Sequence, residues 1–80
     1  MTLYVRQGCQ YCQRVLSIAN QFGIILDIKD IADPHHDADL VARGGMHQVP
    51  FLVDEAKGIE MYESVDIVAY LTKEYATKRP

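Results

Sequence analysis

Cys9 and Cys12 are the only cysteines of the 80-residue chain, and only Gln10 and Tyr11 separate them. They follow a short apolar run and open a segment with helical periodicity. The first N–H groups of a helix lack carbonyl partners and carry about half a positive charge, so a sulfur placed there ionises more easily. Thiolate is the form of cysteine that attacks disulfides. The motif therefore predicts a redox pair, with Cys9 as the nucleophile nearest the solvent and Cys12 as the buried resolving thiol.

A zinc site is the main alternative for two cysteines at this spacing. A structural zinc ion needs four ligands, usually from two such pairs or from added histidines at tight spacing. The sequence has no second pair, and its adjacent histidines, in His35-His36-Asp37, would point apart on a helix. We therefore predict no metal site.

Length and composition predict one domain over residues 1–80 with a true apolar core, because 49% of the residues are hydrophobic. A bridge between the cysteines would close a four-residue loop, worth only about 2 kcal/mol, so the pair is expected to serve chemistry rather than stability. The net charge of −3 without a basic block argues against nucleic acid as a partner. No apolar run reaches membrane-span length, no signal peptide is evident, and the cysteine usage suits a reducing compartment, so we predict a cytoplasmic protein without membrane contact.

The first half of the chain predicts a strand, a helix, a second strand and a short helix. Leu3 and Val5 should face one side of the first strand, over residues 2–6, and Thr2 and Tyr4 the other. The first helix is expected over residues 10–22. The second strand, over residues 24–31, alternates apolar and polar residues, which suggests a position near the sheet edge. The short helix should begin at Asp33-Pro34, end at Gly44-Gly45 and bury Leu40, Val41 and Ala38.

The second half predicts a hairpin and a final helix. Its strands should cover residues 51–53 and 59–62, and the helix should begin at Glu63-Ser64 and bury a stripe of Ile67, Val68, Leu71 and Tyr75. The tail, residues 77–80, is expected to be loose. The order β-α-β-α-β-β-α predicts an α/β sandwich, with a four-stranded mixed sheet flanked by three helices on both faces.

Three motifs carry a resemblance to the glutaredoxins, which have the thioredoxin fold. Arg6-x-x-Cys9-Gln10-Tyr11-Cys12 resembles the glutaredoxin Lys-x-x-Cys-Pro-Tyr-Cys, although Gln10 replaces the usual proline. Val49-Pro50 is placed like the family's cis-proline, and Glu63-Ser64 like its acidic-small pair at the start of the last helix. The glutaredoxin Gly-Gly-x-Asp-Asp signature is missing.

From Val49 to Leu71 the sequence looks more like the N-terminal domain of glutathione transferases. Those enzymes also have an all-helical C-terminal domain, and we find no such region in these 80 residues, so a stand-alone transferase is not the function we expect. Both relatives support glutathione binding.

The resemblance implies a glutathione-dependent thiol-disulfide oxidoreductase that reduces protein disulfides or glutathione mixed disulfides. Glutathione would be a co-substrate, with no tightly bound cofactor, and the protein a monomer whose partners are disulfide-containing or glutathionylated proteins. Val49 would pair through its backbone with the peptide, Ser64 would bind the α-carboxylate, and Glu63 the amino group. The full set of expected glutathione-binding residues is Arg6, Tyr11, Gln48, Val49, Pro50, Glu63 and Ser64.

Three other functions compete with this hypothesis. A flavoprotein reductase, rather than glutathione, could supply the electrons. Some glutaredoxins bind an iron–sulfur cluster as a dimer, although these often have serine at the position of Cys12. A binding module that has lost the chemistry is the third alternative, and the two intact cysteines argue against it.

Overall fold

A computed structural model describes residues 1–75 of the chain. The tail that was expected to be loose, residues 77–80, lies outside the described residues. Helices and strands follow in the order β1 (Thr2–Val5), α1 (Gln10–Gln21), β2 (Asp27–Asp30), α2 (Pro34–Gly44), β3 (Phe51–Asp54), β4 (Ile59–Met61) and α3 (Ser64–Tyr75), with a 3₁₀ turn (Glu55–Lys57) between β3 and β4. Within residues 1–75, no helix has both the length and the apolar character needed to cross a membrane.

The four strands form one mixed sheet in the order β2-β1-β3-β4. β1 pairs in parallel with β2 and antiparallel with β3, which pairs antiparallel with β4. Leu3 and Val5 pack with α1 and α3 on one face, whereas Tyr4 packs with Leu40 of α2 on the other. The structure confirms the predicted thioredoxin-like sandwich, including the position of β2 at an edge.

β2 is shorter than its apolar pattern predicts. The predicted strand began at residue 24, but the Ile24 N–H donates to the Ala19 carbonyl at the end of α1, over 2.8 Å. Pairing with the sheet begins only where the Asp27 N–H donates to the Met1 carbonyl. Ile24 is half-buried against the core and Ile25 is almost fully exposed, so this apolar run closes the end of α1 rather than extending the sheet.

α2 buries less than predicted. Leu40 is fully buried, but Val41 is 40% exposed and Ala38 is also exposed, which corrects the expectation for both. Successive helical residues are rotated by about 100°, so a short helix on a flat sheet buries only one narrow stripe. A polar contact also joins α2 to β1: the Tyr4 hydroxyl donates to the Asp39 carboxylate. Burial and this bond raise the pKa of Tyr4 to about 12.

Candidate functional site

The two cysteines lie at the start of α1, as their motif predicts. Cys9 is the N-cap residue, and the backbone N–H of Cys12 donates to its sulfur over 3.2 Å. The Cys9 carbonyl accepts the first helical bond, from the Gln13 N–H over 3.1 Å. The Cys9 sulfur therefore occupies the position where an N-cap side chain meets free N–H groups and the positive end of the helix dipole.

Both cysteines are unbridged, and both are buried. Cys12 is 1% exposed and packs in the core between α1 and the sheet. Burial, followed by its contact with the Cys9 sulfur, raises the pKa of Cys12 to about 12, despite an opposing influence of Arg6. Cys9 is only 6% exposed, so it lies less close to solvent than the sequence suggested. A reagent would reach Cys9 through a groove that this residue lines.

That groove has a volume of about 460 Å³ and brings together residues that lie far apart in the sequence. It forms where the end of β1, the start of β3 and the start of α3 lie side by side. Its lining contains Cys9, all seven residues predicted to bind glutathione, and one that the sequence did not single out: Arg6, Cys9, Tyr11, Gln48, Val49, Pro50, Glu63, Ser64 and Val65. Cys12 is the one predicted site residue outside this lining. The assignment of these residues to glutathione stays a prediction.

Two segments form two walls of the groove. One contains Val49 and the buried Pro50, joined by a cis peptide bond as the resemblance implied. The other contains Glu63, whose φ of 69° is in the left-handed region that non-glycine residues rarely adopt, and the buried Ser64. The Gln48 side-chain amide donates to the Glu63 carboxylate over 3.1 Å and joins the walls. A strained backbone at such a position is a common feature of ligand-binding sites.

A second, smaller cleft of about 340 Å³ adjoins the groove at Arg6 and is lined in part by His47. The Nδ1 atom of His47 lies 2.8 Å from a carboxylate oxygen of Asp37. His36 instead has its Nδ1 atom 3.0 Å from the Asp30 carbonyl, and His35 is exposed. Among residues 1–75, no group of three histidine, cysteine or acidic side chains is placed to hold a metal ion.

The sequence also matches a family model. Residues 3–79 match the model described as glutathione S-transferase, N-terminal domain. The chain belongs to this family. The likeness to the transferase N-terminal domain, expected from Val49 onward, therefore extends over nearly the whole sequence, including the cysteine motif. No curated protein matches the sequence significantly.

Solved structures of glutathione transferases have the same fold as this member of the family. Glutathione S-transferase 1-6 from Anopheles dirus species B is 33% identical, with a TM-score of 0.80 over 95% of this chain and 36% of that one. A delta-class transferase from Nilaparvata lugens is 30% identical, with a TM-score of 0.77 over 92% of this chain and 35% of that one. Human glutathione S-transferase T1-1 is 28% identical, with a TM-score of 0.78 over 99% of this chain and 33% of that one. The chain therefore spans about a third of the length of these enzymes.

Proposed function

We propose that this transferase-family domain binds glutathione in the groove and reduces disulfides through Cys9 and Cys12, as glutaredoxins do. The observation that carries the proposal is the position of Cys9, whose sulfur accepts a hydrogen bond from the Cys12 N–H at the start of α1 and which lines the groove. All of the groove residues come from the single domain predicted over residues 1–80. We propose that this domain acts as a monomer in the reducing cytoplasm.

The groove offers complementary groups to each part of glutathione. Ser64, at the first turn of α3, would bind the γ-glutamyl carboxylate, because the first N–H groups of a helix favour anions. Glu63 would accept the α-amino group, and Val49 would pair with the peptide backbone as an added strand does. Gln48 would contact the glycyl end, and the exposed Arg6 and Tyr11 would border the ligand. These roles leave the cysteinyl sulfur of the ligand next to Cys9.

The reaction begins when the Cys9 thiolate attacks the glutathionyl sulfur of a mixed disulfide. The old S–S bond breaks, the substrate leaves as a thiolate that takes up a proton, and a new disulfide joins Cys9 to glutathione. A second glutathione thiolate then attacks the glutathione sulfur of this intermediate, which releases oxidised glutathione and restores the Cys9 thiolate. The net reaction consumes one reduced glutathione, which leaves in oxidised glutathione together with the glutathionyl group of the substrate.

Cys12 provides a second route. Its sulfur can attack the sulfur of Cys9 in the intermediate, which releases reduced glutathione and leaves a Cys9–Cys12 disulfide. A neighbouring Cys9 sulfur is one of the causes that raise the pKa of Cys12. In the intermediate that sulfur carries no charge, so its Coulombic effect on the pKa of Cys12 is lost, whereas burial, the largest cause of the raised pKa, still opposes ionisation. Two glutathione molecules would then reduce the Cys9–Cys12 disulfide.

Three proteins test this proposal in an assay that couples reduction of a glutathione mixed disulfide to glutathione reductase. The wild type should be active, and Cys9→Ser should lose about 1,000-fold or more, as expected when a nucleophile is removed. Cys12→Ser should retain activity on the glutathione mixed disulfide and lose it on protein disulfides. Full activity of Cys9→Ser would contradict the proposal. Replacing glutathione with a flavoprotein reductase as donor tests the alternative electron source.

Transfer of glutathione to an electrophile is the second candidate, and the family match favours it. In that reaction glutathione supplies the nucleophilic sulfur, and no protein disulfide forms. Conjugation of a chlorinated nitrobenzene to glutathione separates the two candidates. The disulfide mechanism predicts that the mixed-disulfide assay depends on Cys9 and that conjugation is weak. Strong conjugation that survives in Cys9→Ser would instead support a transferase.

A further inference from the structure

Tyr62 lies between β4 and α3, outside the lining of the groove, and makes two hydrogen bonds to one distant residue. Its hydroxyl donates to the Met46 carbonyl over 2.8 Å and accepts from the Met46 N–H over 3.1 Å. Its ring packs against Phe51, with 4.5 Å between ring centroids. The hydroxyl therefore satisfies both backbone groups of a loop residue, while the ring is anchored at the start of β3.

Gly44 leaves the space that this contact needs. A Cβ atom built on Gly44 would overlap the Tyr62 ring, with the Cζ atom only 2.6 Å away. Gly45 has a different role, because its φ of 82° ends α2 in the left-handed conformation that glycine adopts without steric cost. The first glycine therefore admits the tyrosine, and the second turns the chain towards Met46.

The two residues joined by this contact lead directly into the two walls of the groove. Met46 lies two residues before Gln48 and three before Val49, and Tyr62 is followed by Glu63 and Ser64. We propose that Tyr62 is a positioning residue, which sets the separation of the two walls by holding the Met46 backbone. The Gln48–Glu63 bond joins the same walls through the side chains of a half-buried and an exposed residue. Tyr62 lies outside the groove lining, and its hydroxyl binds the backbone N–H and carbonyl of Met46 rather than a side chain. The link to activity rests on the proposed glutathione function.

Tyr62→Phe tests this role, because it keeps the ring and removes the hydroxyl. Tyr70→Phe is the matched control, since the Tyr70 hydroxyl donates to Asp54 at the other end of the sheet. We expect Tyr62→Phe to raise the KM for glutathione about fivefold, the effect of one or two lost hydrogen bonds, with little change in kcat. Tyr70→Phe should leave the KM unchanged. Equal KM values in the two variants, or a loss confined to kcat, would overturn the proposal.

Gly44→Ala provides a second test that keeps the hydroxyl. Alanine favours a helix more than glycine does, so α2 alone would tolerate the change. Its Cβ atom must displace the Tyr62 ring, and we expect the same rise in KM as in Tyr62→Phe. We call the pair of hydrogen bonds between Tyr62 and Met46 the clamp. If Gly44→Ala folds and binds glutathione as the wild type does, the clamp does not position the groove.

Amide hydrogen exchange separates failure of the clamp from failure of the proposed function, because it needs no substrate. In Tyr62→Phe the Met46 amide should exchange about fivefold faster, and the amide resonances of Val49 and Ser64 should shift. Tyr70→Phe should leave both readouts unchanged. These changes in a protein without glutathione activity would support the clamp and refute the proposed function. An unchanged Met46 amide would refute the clamp, whatever the activity.

Discussion

The carboxylates at the two ends of the sheet differ in burial and in their hydrogen-bond donors. At the end away from the groove, Asp54 is only 2% exposed, and one of its carboxylate oxygens accepts from the hydroxyls of Tyr70 and Tyr75, each over 2.6 Å. At the groove end, Glu63 accepts from the Gln48 amide and stays exposed. The first carboxylate is enclosed by donors of its own chain, whereas the second remains accessible to a ligand.

This difference indicates that the Asp54 end contributes to the stability of the domain, and that the groove end is suited to binding. A buried carboxylate is costly unless it is hydrogen-bonded, so the bonds from Tyr70 and Tyr75 to Asp54 contribute to the stability of the folded domain. Burial opposes ionisation of Asp54, but the bonds from Tyr70 and Tyr75 outweigh it and lower the pKa of Asp54. At the groove end, the left-handed backbone of Glu63 costs free energy, which a binding role would explain.

The largest expected effect is on stability at the closed end. Asp54→Ala leaves two tyrosine hydroxyls without their acceptor, and we expect a loss of about 3 kcal/mol in the free energy of unfolding, measured by urea denaturation. Asp54→Asn keeps an acceptor oxygen and should lose less. Where Asp54→Ala remains folded, its KM for glutathione should equal that of the wild type. A changed KM would mean that the two ends of the sheet are not independent.

The next effect concerns the two thiols. Burial, followed by the contact with the Cys9 sulfur, raises the pKa of Cys12 to about 12, so Cys12 is overwhelmingly a thiol at pH 7. Cys9 faces the groove, so we expect iodoacetamide to label Cys9 at least about 100-fold faster than Cys12. Mass spectrometry of the digested protein gives both rates. Equal labelling of both cysteines would show that Cys12 is not held as a thiol.

At the groove end, Glu63→Gly should separate binding from stability. Glycine adopts a positive φ without strain, so we expect the free energy of unfolding to rise by about 0.5 kcal/mol. Loss of the carboxylate should raise the KM for glutathione about tenfold. Glu63→Gln is the control, because it keeps the backbone conformation and removes only the charge. A less stable Glu63→Gly variant would show that the backbone at residue 63 is not strained.

The smallest effect is on acid stability. Because the pKa of Asp54 is lowered in the folded state, its contribution is complete above the ordinary value of 3.8 and is lost as the pH falls through the lower folded value. Tyr70→Phe removes one of the two lowering bonds. The decrease in stability between pH 6 and pH 2 should therefore be smaller than in the wild type, by less than about 1 kcal/mol. An equal or larger decrease would contradict the assigned role of Tyr70.

Local sequence patterns predicted the parts of this protein that depend on near neighbours. Cys9 and Cys12 at a helix start, Asp33-Pro34 at the next start and Gly44-Gly45 at its end follow from bonds that span a few residues. The alternation of Leu3 and Tyr4 between the two faces of the sheet likewise follows from strand geometry. The residues of the groove were predicted from the resemblance to known families, because no local pattern relates residue 9 to residue 64.

The tertiary structure decided which side chains meet across the sheet. Apolar alternation could not show that Ile24 bonds to the end of α1, nor that Val41 remains exposed, because burial depends on what packs against each face. The contacts of Tyr62 with Met46 and of Tyr70 with Asp54 each join residues 16 positions apart. Such contacts form only when the strands are in register, and one of them places the walls of the groove.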